Sequence, residues 1–416
     1  MILAYDAEWQ YPAITEQHAY LQARRFLPRC SEAVYVGFPW ATLFDAVARQ
    51  ASHLAHLEDE LAALVAQVPD NVRVVTVCQH IDLEKYLGFL KRSGITDVFW
   101  SHARGKGSFL LNSRIRAWPF PLYPVQRFEP RRLAERDIVF SFVGATSNQW
   151  YLTQSRAWIG ELLSDSPGAL VTLRDKWHFN KVVYDHQIHQ NTDQHTGSLT
   201  DEEAATEYKD ILARSVFALC PSGTGPNSIR LWECIQAGIV PVVLSDEYAP
   251  PGNASLWELA VVRCRESKSE IRQLPARLQS LTADPDAMAA KHHALAQLRL
   301  CYGVDSFVYD LVEFFSHPAA WRAPEERVSQ VPAFYSGREQ TLPRFDAHQH
   351  LERRLYFRSM ATALLMDPEP VVDHLVGLDE SAVLDGIAGF LAEQPGDESA
   401  LYQRIFQRLP FWRGLS

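Results

Sequence analysis

Residues 217–244 read Phe-Ala-Leu-Cys-Pro-Ser-Gly-Thr-Gly-Pro-Asn-Ser-Ile-Arg-Leu-Trp-Glu-Cys-Ile-Gln-Ala-Gly-Ile-Val-Pro-Val-Val-Leu, and they gather the residue types that hold anions and hydroxyl groups. The order is strand, glycine-bearing loop, helix, glycine stop, strand. Gly223 and Gly225 permit positive φ and close approach of a ligand to the backbone. Asn227 or Ser228 is placed to cap the helix. The free N–H groups and positive dipole end of that helix, with the loop Ser222–Ser228, make an anion site. Arg230, in the first turn, can offer a forked guanidinium to a diphosphate. Glu233 follows three residues on and shares its face. A carboxylate beside a phosphate site suits two ribose hydroxyls, so the pair has the chemistry of nucleotide-sugar binding. A surface ion pair over an architectural turn would explain Arg230 and Glu233 as a pair, but not their placement between two buried strands.

The surrounding elements set the frame. Ile2–Tyr5 and Ala33–Phe38 read as strands, and Ile14–Phe26 and Leu57–Val68 as helices with three-to-four apolar spacing. Arg73–Cys78 is β-branched and apolar on both faces, as in a buried parallel strand. A helix over Leu83–Lys91 and a strand over Asp97–Trp100 continue the alternation. Three prolines within Trp118–Val125, then the charged stretch Arg127–Arg136, suggest a linker. The alternation restarts with strands at Ile138–Val143, Leu170–Leu173, Val216–Cys220, Ile239–Leu244 and Ala260–Arg263. Helices are expected at Arg156–Leu163, Ala204–Arg214, Ser228–Ala237, Glu270–Leu281, Asp286–Leu300 and Ser306–Phe315. Residues 175–203 read as a polar loop lining a cleft, with Arg174 at the end of its strand as a second phosphate or acceptor contact. The expected fold class is α/β: two Rossmann-like domains, 1–130 on the acceptor side and 131–330 on the donor side, then a mainly helical extension over 331–416. Ligands of such sheets bind beyond the carboxyl ends of the strands.

Composition removes several classes. The 416 residues are 47% hydrophobic, enough for packed cores, so disorder is not the main state. With 40 basic and 50 acidic residues, net charge is −10, which opposes nucleic-acid binding through a basic surface. Six cysteines lack CxxC spacing and read as reduced core thiols. The N-terminus carries no signal-peptide pattern. The long uncharged run Ile138–Ser155 is broken by Ser, Thr, Asn and Gln, so no transmembrane segment is expected. His186 and His189 have zinc-like spacing without a matching third ligand, and Asp284-Pro-Asp286 reads as a helix cap at Asp284, so no metal site is expected.

The 217–244 window resembles the hallmark of exostosin-type glycosyltransferases. The shared residues are Ser215, Phe217, Leu219, Pro221 and Gly223, then Ser228, Arg230, Leu231 and Glu233, then Gly238, Pro241 and Val242. Ser245-Asp246 and the upstream Phe140-Ser-Phe-Val-Gly144 also fit. The resemblance covers about 137–320, with a weaker likeness over 1–130. It implies a GT-B architecture, a nucleotide-sugar co-substrate (usually UDP-linked) and inversion at the anomeric carbon, with no other cofactor. By position, Arg230 would bind the diphosphate, Glu233 the ribose, and Ser222, Gly223, Gly225, Asn227 and Ser228 the phosphates, with Gly144 beside them. Animal members carry an N-terminal membrane anchor. Its absence here leads us to expect a bacterial-style enzyme, cytoplasmic or peripheral at the inner membrane, acting on a surface polysaccharide or other glycan acceptor.

An inverting transfer needs a general base and charge stabilisation for the leaving diphosphate. Arg230 and the helix end can supply the second without a metal. Candidates for the base sit after the N-terminal strands: Asp6 and Glu8, His80 and Asp82, and His102. His80 is favoured because its strand is the most clearly buried, and Glu8 is next. Two other readings stay open: a sugar-nucleotide epimerase, and a catalytically silent nucleotide-sugar-binding scaffold that docks into an oligomer or assembly complex through the helical extension.

Overall fold

The computed structural model describes residues 1–321 apart from 12, 106–108, 112–114, 127, 129–132, 175–201, 253, 305, 317 and 320. The expected helical extension over 331–416 and most of the polar loop, with His186 and His189, lie outside the described residues.

The first sheet contains β1 (Ile2–Ala4), β2 (Ala33–Gly37), β3 (Arg73–Cys78), β4 (Asp97–Trp100), β5 (Phe109–Leu111) and β6 (Ile115–Pro119), in the order β1-β2-β3-β4-β6-β5. Neighbours are parallel except β5, which runs antiparallel to β6. Side chains alternate between two covered faces. Val34, Val36, Val74, Val98 and Trp100 pack under α2 (Trp40–Arg49), α3 (Leu54–Val65) and α4 (Leu87–Arg92). Tyr35, Val75, Val77, Phe99 and Trp118 face the other way, toward α1 (Thr15–Phe26). The expected linker begins differently: Trp118 and Pro119 end strand β6, in register with Phe99 and Trp100. Proline is tolerated there because the bond to β4 at this end of β6 is made by the next residue, Phe120 N donating to Trp100 O at 3.1 Å. Phe120 and Leu122 are buried too.

The second sheet is wholly parallel. It holds β7 (Ile138–Ala145), β8 (Ala169–Arg174), β9 (Ser215–Pro221), β10 (Val240–Leu244) and β11 (Val262–Arg263), in the order β11-β10-β9-β7-β8. Phe140, Phe142, Phe217 and Leu219 pack against α5 (Ser155–Leu163) and α9 (Lys268–Thr282). Ala218 and Cys220 pack on the opposite face against α6 (Glu202–Ala213), α7 (Ile229–Ala237), α8 (Ala254–Ala260) and α10 (Pro285–Tyr302). The strand expected at Ala260–Arg263 shrinks to β11 because α8 runs to Ala260, anchored by the buried Trp257, whose indole N–H donates to Pro251 O at 2.6 Å. Asp284 caps α10, its carboxylate accepting from Ala287 N at 2.9 Å. All six cysteines are free. The fold is thus α/β with two largely parallel sheets, consistent with a two-domain Rossmann-like layout.

Beyond α10 the chain returns to the first sheet. The His18 ring (Nε2) meets Val304 O at 2.9 Å. Phe307, Leu311, Phe314 and Phe315 of the α11 region (Tyr309–Ser316), with Trp321, fill the α1 face beside Phe99 and Phe120. The two sheets also meet along a short seam. Asn227 donates to Ser101 O at 2.7 Å, Gly105 N to Glu247 O at 3.1 Å, and Ala249 N to Ala103 O at 3.2 Å.

Candidate functional site

Numbered within the second sheet, the strand order is 2-1-3-4-5, and the connections reverse direction between β7 and β9. Crevices beyond the carboxyl ends of strands at such a reversal are where ligands bind. A cleft of about 560 Å³ opens there, lined by residues of both sheets. From the second sheet it takes Gly144, Arg174, Gly223, Gly225, Asn227, Ser228, Arg230 and Glu233; from the first it takes His80 and His102. Ser222 and Glu8 do not line it. Ser222 Oγ donates to Glu266 behind the loop. Glu8 sits outside at a φ of 57°, its carbonyl accepting from Thr42 Oγ1 at 2.7 Å.

The electrostatic centre is a pair of half-buried arginines. Arg230, on α7, donates to Leu219 O at 3.3 Å and to Val143 O, and lies 4.6 Å over the Phe142 ring. Arg156, at the start of α5, donates to Ser222 O at 3.1 Å and Ala145 O at 3.2 Å, and lies 4.5 Å over the Tyr151 ring. Both guanidiniums converge on Gly144: a Cβ built there would fall 2.7 Å from Arg230 Nη2 and 3.6 Å from Arg156 Nη1. A side chain at this position would have to displace the Arg230 guanidinium. Burial, with the neighbouring Arg230 charge adding to it, lowers Arg156 to about 10, so it remains a cation at neutral pH. Carbonyl dipoles hold both cations, and among the described residues neither forms an ion pair. Two half-buried positive charges held by carbonyl dipoles and aromatic faces, with Glu233 nearby, can bind an anion.

Glu233 sits one turn along α7, with 4% of its surface exposed. It accepts from the Tyr208 hydroxyl and from Gln126 N at 3.1 Å. Burial raises its pKa against those donors and the nearby Arg230. Arg174 reaches the rim, and Glu207 already meets its charge. The helix is capped differently from the expectation. Ser228 makes no side-chain bond to α7, and the Asn227 amide is tied to Ser101 O and to the Trp232 indole N–H. Gly223 and Gly225 do not adopt positive φ. Gly225 is required by contact instead, since a Cβ there would meet His102 Nδ1 at 2.4 Å and Ile81 Cγ2 at 2.8 Å.

On the first-sheet wall, the His80 ring stands edge-on to Phe44 and Tyr86. His102 is buried, and burial first, then the nearby His80 and Arg104, lowers it to about 3, so it is neutral at physiological pH. Asp6 is outside the cleft lining and accepts from the Trp9 indole at 2.9 Å. Arg156 and Asp45 are among the lining residues that the sequence did not single out. Arg156 lacks any local signature, because only folding brings the β7 and β9 loops together. Asp45 lies on α2, a helix that the spacing of Trp40, Leu43, Phe44 and Val47 could have revealed, although nothing local places its carboxylate in the cleft.

Behind this wall, Glu16 accepts from Gln79 N at 2.9 Å and Ala41 N at 3.2 Å, tying α2 to the turn after β3. Burial pushes it up to about 8, from an ordinary 4.5. The folded chain therefore holds the Glu16 proton more tightly than the unfolded chain. Its contribution to stability is complete below about pH 4.5 and is lost as pH rises toward 8, by up to a few kcal/mol at about 1.4 kcal/mol per unit. Urea titrations from pH 5 to 8 should show wild-type stability declining more steeply with pH than that of Glu16→Gln. Parallel curves would count against a proton held at Glu16.

Fold and cleft define an α/β protein of two largely parallel sheets with a cleft between them, lined on one side by two arginines. Residues 106–281 match the family model of the exostosin GT47 domain. A probable glucuronosyltransferase of Oryza sativa subsp. japonica is 36% identical over 87 residues, 21% of this chain and 19% of that one. An exostosin-1 homolog of Caenorhabditis elegans is 38% identical over 63 residues, 15% and 16% of the two chains. A probable beta-1,4-xylosyltransferase of Arabidopsis thaliana is 38% identical over 61 residues, 14% of each. The chain spans about a fifth or less of the length of these curated relatives. The matched segment resembles exostosin-type glycosyltransferases. These relatives come from plants and an animal, so the expected bacterial-style assignment finds no support in them. Among the described residues no helix is long and apolar enough to cross a membrane.

Proposed function

We propose that this chain is an inverting, metal-independent glycosyltransferase of GT-B architecture that moves a sugar from a nucleotide sugar, UDP-linked, to a glycan acceptor. The carrying observation is the convergence of Arg156 and Arg230 on Gly144. Glycosyl transfer releases a diphosphate whose charge grows as the bond to the sugar breaks. Fixed cations in a partly desolvated cleft stabilise that charge without reorganising. They stand where a divalent cation would otherwise act. Glu233 retains acceptor capacity beyond its two internal donors and is assigned to the ribose hydroxyls. Ser228 and the first turn of α7 complete the phosphate cradle, and Arg174 is assigned to the rim. The first-sheet wall receives the acceptor.

Calorimetric titration with UDP, GDP and CDP, with and without EDTA, tests the donor site. Micromolar binding of UDP that EDTA leaves unchanged is expected. UDP release from UDP-glucuronate and UDP-xylose, donors suggested by the names of the relatives, then tests turnover on xylo- and gluco-oligosaccharides. Absence of nucleotide binding would overturn the proposal, and binding without turnover would point to the silent scaffold.

A further inference from the structure

We propose that Asp45 takes the proton from the acceptor hydroxyl, and that His80 is its positioning residue; this rests on the transferase reading above. The backbone N–H of Asp82 donates to His80 Nδ1 at 3.1 Å. A backbone amide cannot accept in return, so the ring hydrogen of neutral His80 resides on Nε2. Nε2 lies 3.5 Å from Asp45 Oδ1. One nitrogen has its lone pair engaged and the other carries hydrogen, which leaves no basic site for an incoming hydroxyl. The Trp100 indole N–H, donating to His80 O at 2.8 Å, holds the turn in this setting.

The carboxylates of the cleft decide the rest. Among the described lining residues only Asp45 and Glu233 are acidic. Glu233 stands on the donor side, where its remaining acceptor capacity is assigned to the ribose hydroxyls. Asp45 stands on the first-sheet wall, on α2, with 28% of its side chain exposed. Its Oδ2 accepts from Gln10 Nε2 at 2.6 Å, and its Oδ1 faces His80 and, at 3.5 Å, Arg49. Two carboxylate oxygens offer about four lone-pair positions, so capacity remains for one more hydrogen. Glu16 clamps the first turn of α2 and the Gln79-His80 turn together, so the Asp45–His80 geometry is held from behind.

The step balances as follows in atoms and electrons. A lone pair of the acceptor oxygen forms the bond to the anomeric carbon. The bond from that carbon to the diphosphate oxygen breaks, and its electron pair leaves on UDP beside Arg156 and Arg230. The acceptor's proton passes to an Asp45 oxygen and then to bulk water.

UDP affinity and UDP release from UDP-glucuronate and UDP-xylose, on the acceptors above, test the assignment in the full chain. Asp45→Asn is expected to keep the UDP Kd within about twofold while cutting turnover by about 100-fold or more, the scale of a lost general base. The acidic limb of its pH profile should vanish. Asp45→Ala should regain turnover with added formate, which a merely structural residue would not allow. His80→Gln is expected to cost about tenfold and to shift the acidic limb without removing it. Turnover of Asp45→Asn within about threefold of wild type would overturn the inference, as would His80→Gln being the more damaging variant. Failure of wild type to bind UDP would overturn the transferase reading itself, so the two failures are distinct.

Discussion

Arg230→Ala is expected to weaken UDP binding by about 100-fold, or ~2.8 kcal/mol at 1.4 kcal/mol per decade. The expectation follows from the pairing with Arg156. Each guanidinium is held by two carbonyls and aimed at Gly144, so removing one halves the fixed charge facing the diphosphate. Arg230→Lys keeps the charge and loses the fork, and should fall between wild type and alanine. The substitution also strips donors from Leu219 O and Val143 O, a stability cost of about 1–3 kcal/mol that thermal melts will report separately. If the folded variant binds UDP as tightly as wild type, Arg230 belongs to the architecture of β7 and β9 and not to the donor site.

Asp97→Ala should produce the largest stability loss, about 3–5 kcal/mol, the cost of removing one partner from a buried ion pair. Asp97 is 1% exposed. It accepts from Arg73 through Nε at 3.0 Å and through Nη2, from Trp118 Nε1 at 2.9 Å and from Thr96 Oγ1 at 2.7 Å. Arg73 in turn donates to Pro318 O and lies 4.2 Å over Phe314. One carboxylate thus joins β3, β4 and β6 to the returning chain. Its loss leaves a guanidinium and an indole N–H without their acceptor. A fall in Tm of roughly 10 °C is expected, with UDP affinity of the folded protein unchanged because the arginines lie in the other sheet. Asp97→Asn keeps acceptor capacity and should lose less. A fall under 2 °C in the alanine variant would refute the account.

The sequence was most legible where one physical signal dominated. The bounds of β3 and β4 match the expected strands to the residue, since beyond the charged residues that open them, Arg73 and Asp97, both are buried on both faces. The β9–α7–β10 unit emerged in the same way, with Gly238 ending α7 at a φ of 66°. Strand β6 was hidden by prolines that suit a strand's end as well as a linker. The donor side of the cleft was legible in Arg230, Glu233 and their loop because these lie within one turn-and-helix unit. Its partner Arg156 and the opposing Asp45 were not. They lie 74 and 185 residues from Arg230 in the chain, and only the closing of two sheets brings them to one cavity. Asn227 shows the converse limit: a residue type suited to capping serves instead to join the sheets, a choice set by the nearness of Ser101 and Trp232.

The return of the chain to the first sheet has a consequence for synthesis. Phe99, Trp118 and Phe120 pack against Phe307, Phe314 and Trp321. A ribosome that has delivered β1 to β6 has made a sheet with one face covered by α1 alone and the rest of its cover still to come. That cover leaves the exit tunnel only after the whole second sheet. The half of the molecule that is translated first is therefore the last to be completed, and a nascent chain paused before residue 303 would present an aromatic face to chaperones.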